Sequence, residues 1–423
     1  MYRKQVKYLI IGAGISGLSL ANNVINEDYL IIEKEKEVGG YCKSFYKNDF
    51  IWDFAGHFFH FKDEEKKKYF IEAIGKDNII TQKKNTKILY KDKYIDYPFQ
   101  KNIHQLEKGE FIECLCDLFE RGEKNNYENF LDMLYGKFGK GIVDKFLKPY
   151  NEKLYACNLK SLDKDAMGRF FPFANLEEII HNMRKQQNTS YNDMFLYPRK
   201  GAGSFINYLY QKLNREKIKL DTEVIVVDTS QKEVTTSKQE KIKYEYLINT
   251  IPLNRFLTLL HGKEQELQLE MSYNKVLVFN LGFKKEGKNK EHWIYIPDKD
   301  INFYRIGFYN NILNTKKLSM YIEIGFSKND IIDINRQLEL TLQNLRKLHI
   351  TEENELESCM SIIMDPAYVH ITKSTNEKIE EMKSKWQDEQ IYTIGRYGAW
   401  TYCSMEDCMI EAEKLVKKIK NEK

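Results

Sequence analysis

One glycine-rich loop near the N-terminus constrains what this chain can fold into. Gly12, Gly14 and Gly17 follow the apolar run 8–11 and lead into a second apolar stretch that begins at Leu18. This order is typical of a strand, a tight glycine turn and a helix. Such a turn brings backbone N–H groups and the positive end of a helix dipole up to a phosphate. The loop therefore predicts an α/β, Rossmann-like unit that binds a dinucleotide.

The residues that follow the loop favour one kind of dinucleotide. Glu33 ends a second apolar run, 29–32, and lies 21 residues after Gly12. An acid at that spacing accepts hydrogen bonds from the ribose of an adenosine. Gly39 and Gly40 come next, and a glycine pair there lets backbone reach the ribityl and phosphate part of a longer cofactor. The pair also fits an ordinary β-turn, but in this context it favours FAD over NAD.

Charge and cysteine content exclude several classes of protein. The 66 lysines and arginines nearly balance the 62 acids, which gives no electrostatic case for a nucleic-acid partner. No apolar run approaches the roughly 20 residues that span a bilayer. The first strand is expected within a few residues of Met1, without room for a signal peptide. The seven cysteines form no CxxC pair, so neither a metal site nor a disulfide framework is expected, and a cytoplasmic location is the simplest.

The remaining pattern predicts three interleaved parts. Apolar residues at helical spacing predict helix over 105–150, ended by Pro149, and a final helix over 405–421. β-branched and aromatic residues between 276 and 325 predict an antiparallel sheet. The predicted division is an FAD-binding domain (1–90 with 198–250 and 375–423), a helical substrate or flap domain (100–190) and a mixed or antiparallel sheet domain (91–99 with 251–374).

Eight further segments, in order along nearly the whole chain, carry recognisable motifs. They are Trp52-Asp53-Phe54-Ala55-Gly56-His57-Phe58-Phe59-His60, Tyr97-Pro98-Phe99-Gln100-Lys101-Asn102-Ile103, Tyr150-Asn151-Glu152-Lys153-Leu154-Tyr155-Ala156, Met167-Gly168-Arg169, Trp293-Ile294-Tyr295-Ile296-Pro297, Phe303-Tyr304-Arg305, Asp365-Pro366-Ala367-Tyr368 and Gly395-Arg396-Tyr397-Gly398-Ala399-Trp400-Thr401-Tyr402. A single one of these segments is only moderately specific, whereas the ordered set is strong. Together they resemble one enzyme family, the UDP-galactopyranose mutases, and in particular their longer, eukaryotic type.

The resemblance implies an isomerase within the FAD-dependent amine oxidase and protoporphyrinogen oxidase fold group. Such mutases interconvert the pyranose and furanose forms of a nucleotide sugar without net redox change. It implies that reduced FAD is the active form, that an external donor such as NAD(P)H reduces it, and that flavin N5 forms an adduct with the sugar. Ala55 and Lys101 depart from the family pattern, which leaves the sugar and the nucleotide open. The furanose product would feed a cell-surface glycan.

The same resemblance assigns roles to individual residues. Arg169 and Arg305 would hold the diphosphate leaving group, and His57 would lie against the flavin, as catalytic residues. The substrate-binding set is Tyr97 and Gln100 at the base, with Tyr155, Tyr295, Tyr368 and Tyr402. The cofactor-binding set is Gly12, Gly14, Ile15, Ser16, Gly17, Glu33, Lys34, Gly39, Gly40, Tyr41, Ser44, Gly56, His57, Gly395, Arg396, Tyr402, Ser404 and Met405.

Two other readings remain open at this point. A true flavin oxidoreductase of the amine oxidase or protoporphyrinogen oxidase type would share the loop and the fold, because fold alone does not decide chemistry. A binding module like the dissociation inhibitors of prenylated GTPases would have no working flavin, although the intact glycines argue against it. The oligomeric state is also open, with a homodimer or a larger assembly among the options.

Overall fold

A computed structural model of the chain describes residues 4–124, 126–172, 174–184, 193–260 and 264–421. Strands and helices are numbered in chain order. The strands are β1 Lys4–Ile11, β2 Tyr29–Ile32, β3 Ser44–Lys47, β4 Phe50–Asp53, β5 Ile79–Lys83, β6 Thr86–Tyr90, β7 Lys93–Asp96, β8 Met194–Pro198, β9 Ile218–Lys219, β10 Val224–Asp228, β11 Glu233–Thr236, β12 Lys241–Asn249, β13 Asn274–Phe283, β14 Trp293–Tyr295, β15 Arg305–Phe308, β16 Ser319–Ser327, β17 Leu356–Met364 and β18 Ile391–Thr393. The helices are α1 Ile15–Asn23, α2 Glu64–Ile74, α3 Lys108–Glu120, α4 Phe130–Ile142, α5 Lys148–Tyr155, α6 Leu176–Arg184, α7 Gly203–Gln211, α8 Leu253–Thr258, α9 Glu264–Glu270, α10 Tyr309–Leu313, α11 Ile334–Lys347, α12 Lys373–Asp388, α13 Gly395–Gly398 and α14 Met405–Asn421.

The first sheet is built around the strand that precedes the glycine loop. β1 lies parallel to β2 on one side and to β12 on the other, with β9 beyond β2. β18 pairs in parallel with the end of β12, and β10 and β11 continue the sheet in antiparallel pairing. The second half of β1, residues 8–11, and the whole of β2 are apolar without alternation because helices cover both faces of this sheet. The predicted Rossmann-like unit is confirmed.

The two faces of β1 enter different cores. Tyr8 and Ile10 pack into one buried cluster together with α1 and α14. Leu9 and Ile11 pack into a second cluster together with α8 and α12. Successive residues of a strand point to opposite faces, so this continuous apolar run fills both layers at once. The final helix, predicted over 405–421, begins and ends at those residues.

The second sheet has the strand order β17-β13-β16-β15-β14-β6-β7. Its pairs are antiparallel except for β14 with β6, so the predicted mixed or antiparallel sheet is confirmed. The stretch 293–308 divides into two strands that pair with each other. β6 belongs to this sheet, so the predicted boundary at residue 90 would cut the β6–β7 hairpin. We propose that the FAD-binding unit ends before Thr86.

The helical part extends further than the sequence predicts. α4 continues through a π-helical turn, Val143–Leu147, into α5, which ends only at Tyr155. The prediction that Pro149 ends the helix is wrong. Pro149 directly follows the π-helical turn, where the regular helical hydrogen-bond pattern is already interrupted and one missing N–H is tolerated. The extension places the ring of Tyr150 against that of Tyr295 on the second sheet, with centroids 5.2 Å apart. In the part of the chain that the structure describes, no helix combines the length and apolarity needed to cross a membrane.

Candidate functional site

The glycine loop has the geometry that close packing of strand and helix requires. Gly12 has a φ of +101°, a conformation that residues with a side chain rarely adopt. A Cβ on Gly17 would lie 2.0 Å from the carbonyl oxygen of Gly12, so only glycine lets α1 begin this close to β1. Gly14 has nothing within 4 Å of the position its Cβ would take. The loop is therefore tightly packed at Gly17, where α1 meets β1, and open at Gly14. The open side at Gly14 is called the open front of the loop.

Glu33 and the glycine pair lie beside the loop. Glu33 is buried, and its Oε2 accepts a hydrogen bond from the Ala13 N–H at 2.7 Å. The N–H of Gly39 donates to the carbonyl oxygen of Ala13 at 2.8 Å. An added Cβ on Gly40 would have only the Cα of Gly14 within 4 Å, at 3.6 Å. The open front of the loop, the acid and the glycine pair thus share one edge of the sheet, and their chemistry fits a dinucleotide phosphate and ribose.

The C-terminal glycine motif meets the N-terminal loop. A Cβ on Gly395 would lie 2.1 Å from Oγ of Ser16, which requires glycine at this contact. The N–H of Gly395 donates to Oε2 of Glu411 in α14. Met405 begins α14, and Ser404 donates to Asp407 at the start of that helix. The two ends of the chain therefore meet at the loop.

Two other residues predicted to bind the cofactor, Ser44 and Tyr41, have hydroxyls that are already hydrogen-bonded to protein groups. The hydroxyl of Ser44 donates to the buried carboxyl of Asp53 at 2.5 Å and accepts from the Gly203 N–H at 2.8 Å. The hydroxyl of Tyr41 accepts a hydrogen bond from the Asp365 N–H at 2.9 Å. Lys34 is exposed. Their cofactor contacts stay predictions.

A cavity of about 240 Å³ opens where α5, β14, β15 and β16 meet. Its wall is rich in phenols and includes Tyr97, Tyr150, Tyr295, Tyr321 and Tyr402. The charged side chains on the wall are Lys84 and Arg305, and no carboxylate is among the described residues that line it. The cavity therefore favours an anionic ligand over a cationic one.

Arg305 is held in place from two sides. Its guanidinium carbon lies 5.4 Å from the ring centroid of Tyr295 and 5.6 Å from that of Tyr304. Its Nη1 lies 3.2 Å from Oε2 of the buried Glu323, which faces it across β15 and β16. Its Nε makes no hydrogen bond to a described residue. One side of the guanidinium thus neutralises a buried acid, while the side chain as a whole lines the cavity.

A second group of predicted residues gathers around Arg396. The guanidinium carbon lies 4.3 Å from the ring centroid of Tyr402 and 5.3 Å from that of Tyr368, and these two rings stack at 5.9 Å. Nη1 donates to the carbonyl oxygen of Cys403 at 3.2 Å. Because Tyr402 also lines the cavity, this group lies between the cavity and the C-terminal glycine motif. The structure thus joins the predicted cofactor-binding and substrate-binding residues.

Some predicted residues lie away from the cavity wall. Gln100 is buried, and its Nε2 donates to the carbonyl oxygen of Pro172, which itself lines the cavity. Tyr155 is buried, with its ring 5.9 Å from that of Tyr368. The backbone of Arg169 lies in a short helix, Gly168–Phe170, but its side chain lies outside the described part of the chain, so its role stays a prediction.

His57 is kept neutral by its surroundings. Burial lowers the pKa of its imidazole to about 4. Nδ1 lies 3.2 Å from the carbonyl oxygen of Ala55, so this nitrogen carries the proton and donates. The other ring nitrogen then has a free lone pair and can accept a hydrogen bond. His57 therefore acts as an acceptor and not as a cation.

Two polar residues of the cavity wall, Lys84 and Tyr321, lie outside the sequence motifs. Lys84 has its Nζ 4.9 Å from the ring centroid of Tyr97 and 5.5 Å from that of Trp293. Tyr321 accepts a hydrogen bond from the indole N–H of Trp293. Lys84 belongs to no motif. Tyr321 and Glu323 are two residues apart on β16, so they lie on the same face of the strand. This spacing is the one sequence signal that could have placed both on the cavity side.

Buried histidines make the fold acid-sensitive. Burial lowers the pKa of His57, His60, His292 and His370 to about 4. The unfolded chain protonates them near 6.5, so their contribution to stability is full above that pH and is lost as pH falls towards 4. The reason is visible at His292, whose Nδ1 accepts from the Asn85 N–H and cannot do so once protonated.

Two buried carboxyls oppose this effect, but the histidines outnumber them. Burial raises the pKa of Asp53 to about 7 and raises that of Glu411, so both groups favour the folded state as pH falls. We expect the melting temperature to fall between pH 6.5 and pH 4.5 at constant ionic strength. A melting temperature that stays constant or rises over this interval would contradict the expectation that the four histidines outweigh the two carboxyls.

The comparisons with known proteins agree with this geometry. A sequence profile described as flavin containing amine oxidoreductase matches residues 15–415, nearly the whole chain. The chain belongs to this family. A flavin cofactor is therefore a property of the family to which the chain belongs, and the open front of the glycine loop is where the structure offers room for its phosphates.

Solved structures with different activities share the fold. A reduced UDP-galactopyranose mutase matches with a TM-score of 0.92 at 23% identity, over 99% of this chain and 94% of that one. A protein described as a candidate protoporphyrinogen oxidase from Exiguobacterium sp. 255-15 matches with a TM-score of 0.77 at 16% identity, over 100% of both chains. Putrescine oxidase bound to putrescine matches with a TM-score of 0.70 at 11% identity, over 99% of both. At these identities the likeness shows the fold and not the activity.

Proposed function

We propose that this protein is an FAD-containing nucleotide-sugar mutase that interconverts pyranose and furanose forms, most simply those of UDP-galactose. The observation that carries the proposal is the charge of the cavity. Lys84 and Arg305 are the charged groups on its described wall, and phenols surround them. A diphosphate is complementary to this wall in charge and in hydrogen bonding. Guanidinium and phenol groups both donate hydrogen bonds to phosphate oxygens.

The chain's own residues would hold the leaving group while the bond to the sugar breaks. Arg305 offers the side of its guanidinium that does not face Glu323, and Tyr295 and Tyr402 offer phenolic O–H donors. These donors are fixed before the ligand arrives, so they stabilise the developing charge without reorganisation. Tyr97 lies 5.2 Å from Tyr295, centroid to centroid, and offers a ring face to the base. The position proposed for Arg169 is on the loop beside the cavity.

The cofactor would be held at the sheet edge that carries the loop. Gly12, Gly14 and Gly17 would face its pyrophosphate, Glu33 its adenosine ribose, and Arg396 the region between it and the cavity. When bound, the reduced flavin supplies the nucleophile for the anomeric carbon of the sugar. Neutral His57 would accept a hydrogen bond on its unprotonated nitrogen beside that cofactor.

The second candidate is an amine or protoporphyrinogen-type oxidase. It is favoured by the family and by aromatic contacts on the cavity wall, such as Phe58 against Trp293 with ring centroids 4.6 Å apart. A protonated amine, however, would meet Lys84 and Arg305, the latter paired with the buried Glu323, and no carboxylate among the described residues of that wall. Burying a cation beside like charges costs several kcal/mol. The charge of the wall therefore ranks this candidate second.

A substrate panel separates the two candidates. The purified protein would be offered UDP-galactose, UDP-N-acetylgalactosamine and other nucleotide hexoses without oxygen, and then primary amines and polyamines with oxygen. We expect ring interconversion of at least one nucleotide sugar and no oxygen uptake with amines. Oxygen uptake with an amine, together with no interconversion of any nucleotide sugar, would replace the proposal by the oxidase.

A further inference from the structure

The end of α5 is fixed firmly to the second sheet. A Cβ on Gly325 would lie 2.2 Å from the carbonyl oxygen of Lys153, so the helix contacts β16 with no space between them. The next two carbonyl oxygens are also bonded. Leu154 accepts from Nδ2 of Asn274 at 2.6 Å, and Tyr155 accepts from Nε2 of His370 at 2.9 Å. The backbone of Lys153 is therefore held in a fixed position.

From that position the ammonium of Lys153 reaches the turn between β14 and β15. Nζ donates to the carbonyl oxygens of Ile296 at 3.0 Å, Asp298 at 2.6 Å and Phe303 at 2.6 Å. An ammonium has three N–H donors, and all three are used on backbone of this one turn. Two acceptors lie in the first half of the turn and one lies in the second half. The ammonium of Lys153 therefore holds the two halves of the turn together.

The turn carries two residues of the cavity wall at its two ends. Tyr295 immediately precedes Ile296, and Arg305 follows Phe303 by two residues. Tyr295 and Arg305 are direct partners across β14 and β15. A change in the turn therefore moves the phenol and the guanidinium together. Neither group needs to touch Lys153 for its position to depend on it.

We propose that Lys153 is a positioning residue for the diphosphate, acting through the turn 296–303 on Tyr295 and Arg305. The inference rests on the proposed function for the identity of the ligand. The hydrogen bonds from Lys153 to the three carbonyl oxygens do not depend on which ligand the cavity binds. The role differs from substrate binding, because all three donors of Lys153 are directed at backbone and none remains for a phosphate.

The chain offers a matched control on the same two elements. Lys299 lies in the same turn and forms an ion pair of 3.1 Å with Glu152, the neighbour of Lys153 on α5. Lys299 is 68% exposed, whereas Lys153 is half-buried. An exposed ion pair contributes little to stability. Lys299→Met therefore removes a charge from the same turn without removing the backbone contacts.

The test measures UDP affinity of the flavin-loaded protein by calorimetry, together with hydrogen exchange of residues 296–303. We expect Lys153→Met to weaken UDP binding about tenfold and to speed exchange in the turn. Lys153→Arg, which keeps several donors, should recover affinity to within about threefold of wild type. Lys299→Met should match wild type to within twofold in both measurements.

The outcomes separate this inference from the proposed function. Lys153→Met with wild-type UDP affinity overturns the inference, whatever the exchange shows. Equal weakening by Lys153→Met and Lys153→Arg, with no faster exchange in the turn, also overturns it, because the loss would then not pass through the turn. A wild-type protein that binds UDP but converts no nucleotide sugar overturns the proposed function alone. Wild-type protein without UDP affinity overturns both.

Discussion

Removing the guanidinium of Arg305 should lower the kcat/KM for the nucleotide sugar by roughly 10²–10³, because a preorganised donor to the developing charge would be lost. Flavin content should stay at the wild-type level, since Arg305 lies on the second sheet and the glycine loop on the first. Arg305→Lys should recover only part of the loss. Lysine keeps the charge but cannot form the two parallel hydrogen bonds of a guanidinium with phosphate.

A single substitution at Arg305 would also leave Glu323 buried without its partner. Breaking a buried ion pair costs roughly 3–5 kcal/mol, so Arg305→Ala alone could report a loss of stability. The matched variant is Arg305→Met with Glu323→Gln, in which the guanidinium and the acid's charge are removed together. Its melting temperature should lie near that of wild type while its kcat/KM is reduced as in the single variant. Activity within tenfold of wild type in a folded double variant would remove Arg305 from the proposed diphosphate site.

Gly14→Ala should abolish or greatly weaken flavin binding, with at least a 100-fold loss of affinity, while leaving the fold intact. Gly14 has a φ of −75° and nothing within 4 Å of its Cβ position, so the methyl group strains neither backbone nor packing. The methyl would instead fill the open front of the loop, where the pyrophosphate must approach backbone N–H groups. Flavin absorbance after purification, titration of the apoprotein with FAD, and the melting temperature of the apoprotein measure the effect.

Gly109→Ala is the control for Gly14→Ala. Gly109 also has nothing within 4 Å of its Cβ position, and it lies in α3 of the helical part. Alanine stabilises an exposed helix position by up to about 1 kcal/mol relative to glycine. This variant should bind flavin as wild type does. A Gly14→Ala protein with full flavin content would contradict the assignment of the loop to the cofactor.

The first sheet and its loop could be predicted from the sequence because their signals are local. The elements follow one another within about 30 residues, in the order β1, glycine turn, α1, β2 and Glu33. The continuous apolar runs of β1 and β2 are typical of strands in a buried parallel sheet. The final helix was equally readable. The family resemblance placed Gly395 and Ser16 in one cofactor-binding set, but nothing in the sequence predicts that these two residues touch.

The parts of the site that the sequence did not give depend on contacts between distant segments. The pairing of Arg305 with Glu323 follows from the register of β15 and β16, which no local pattern specifies. Lys84 reaches the cavity because its segment passes the rings of Tyr97 and Trp293. The prediction for Pro149 was wrong because a proline usually ends a helix, whereas here a π-helical turn precedes it and interrupts the regular hydrogen-bond pattern. No local sequence pattern specifies that π-helical turn.

We propose that this protein is a mutase whose flavin must be reduced, and one measurement tests this proposal directly. Purified protein, reduced with dithionite in the absence of oxygen, is incubated with UDP-galactofuranose, and the products are separated by chromatography. We expect UDP-galactopyranose from the reduced protein and none from the same protein kept oxidised. A yellow protein that dithionite reduces but that leaves UDP-galactofuranose unchanged would contradict the assignment to this sugar nucleotide. Equal conversion by the oxidised and reduced protein would contradict the role of reduced flavin.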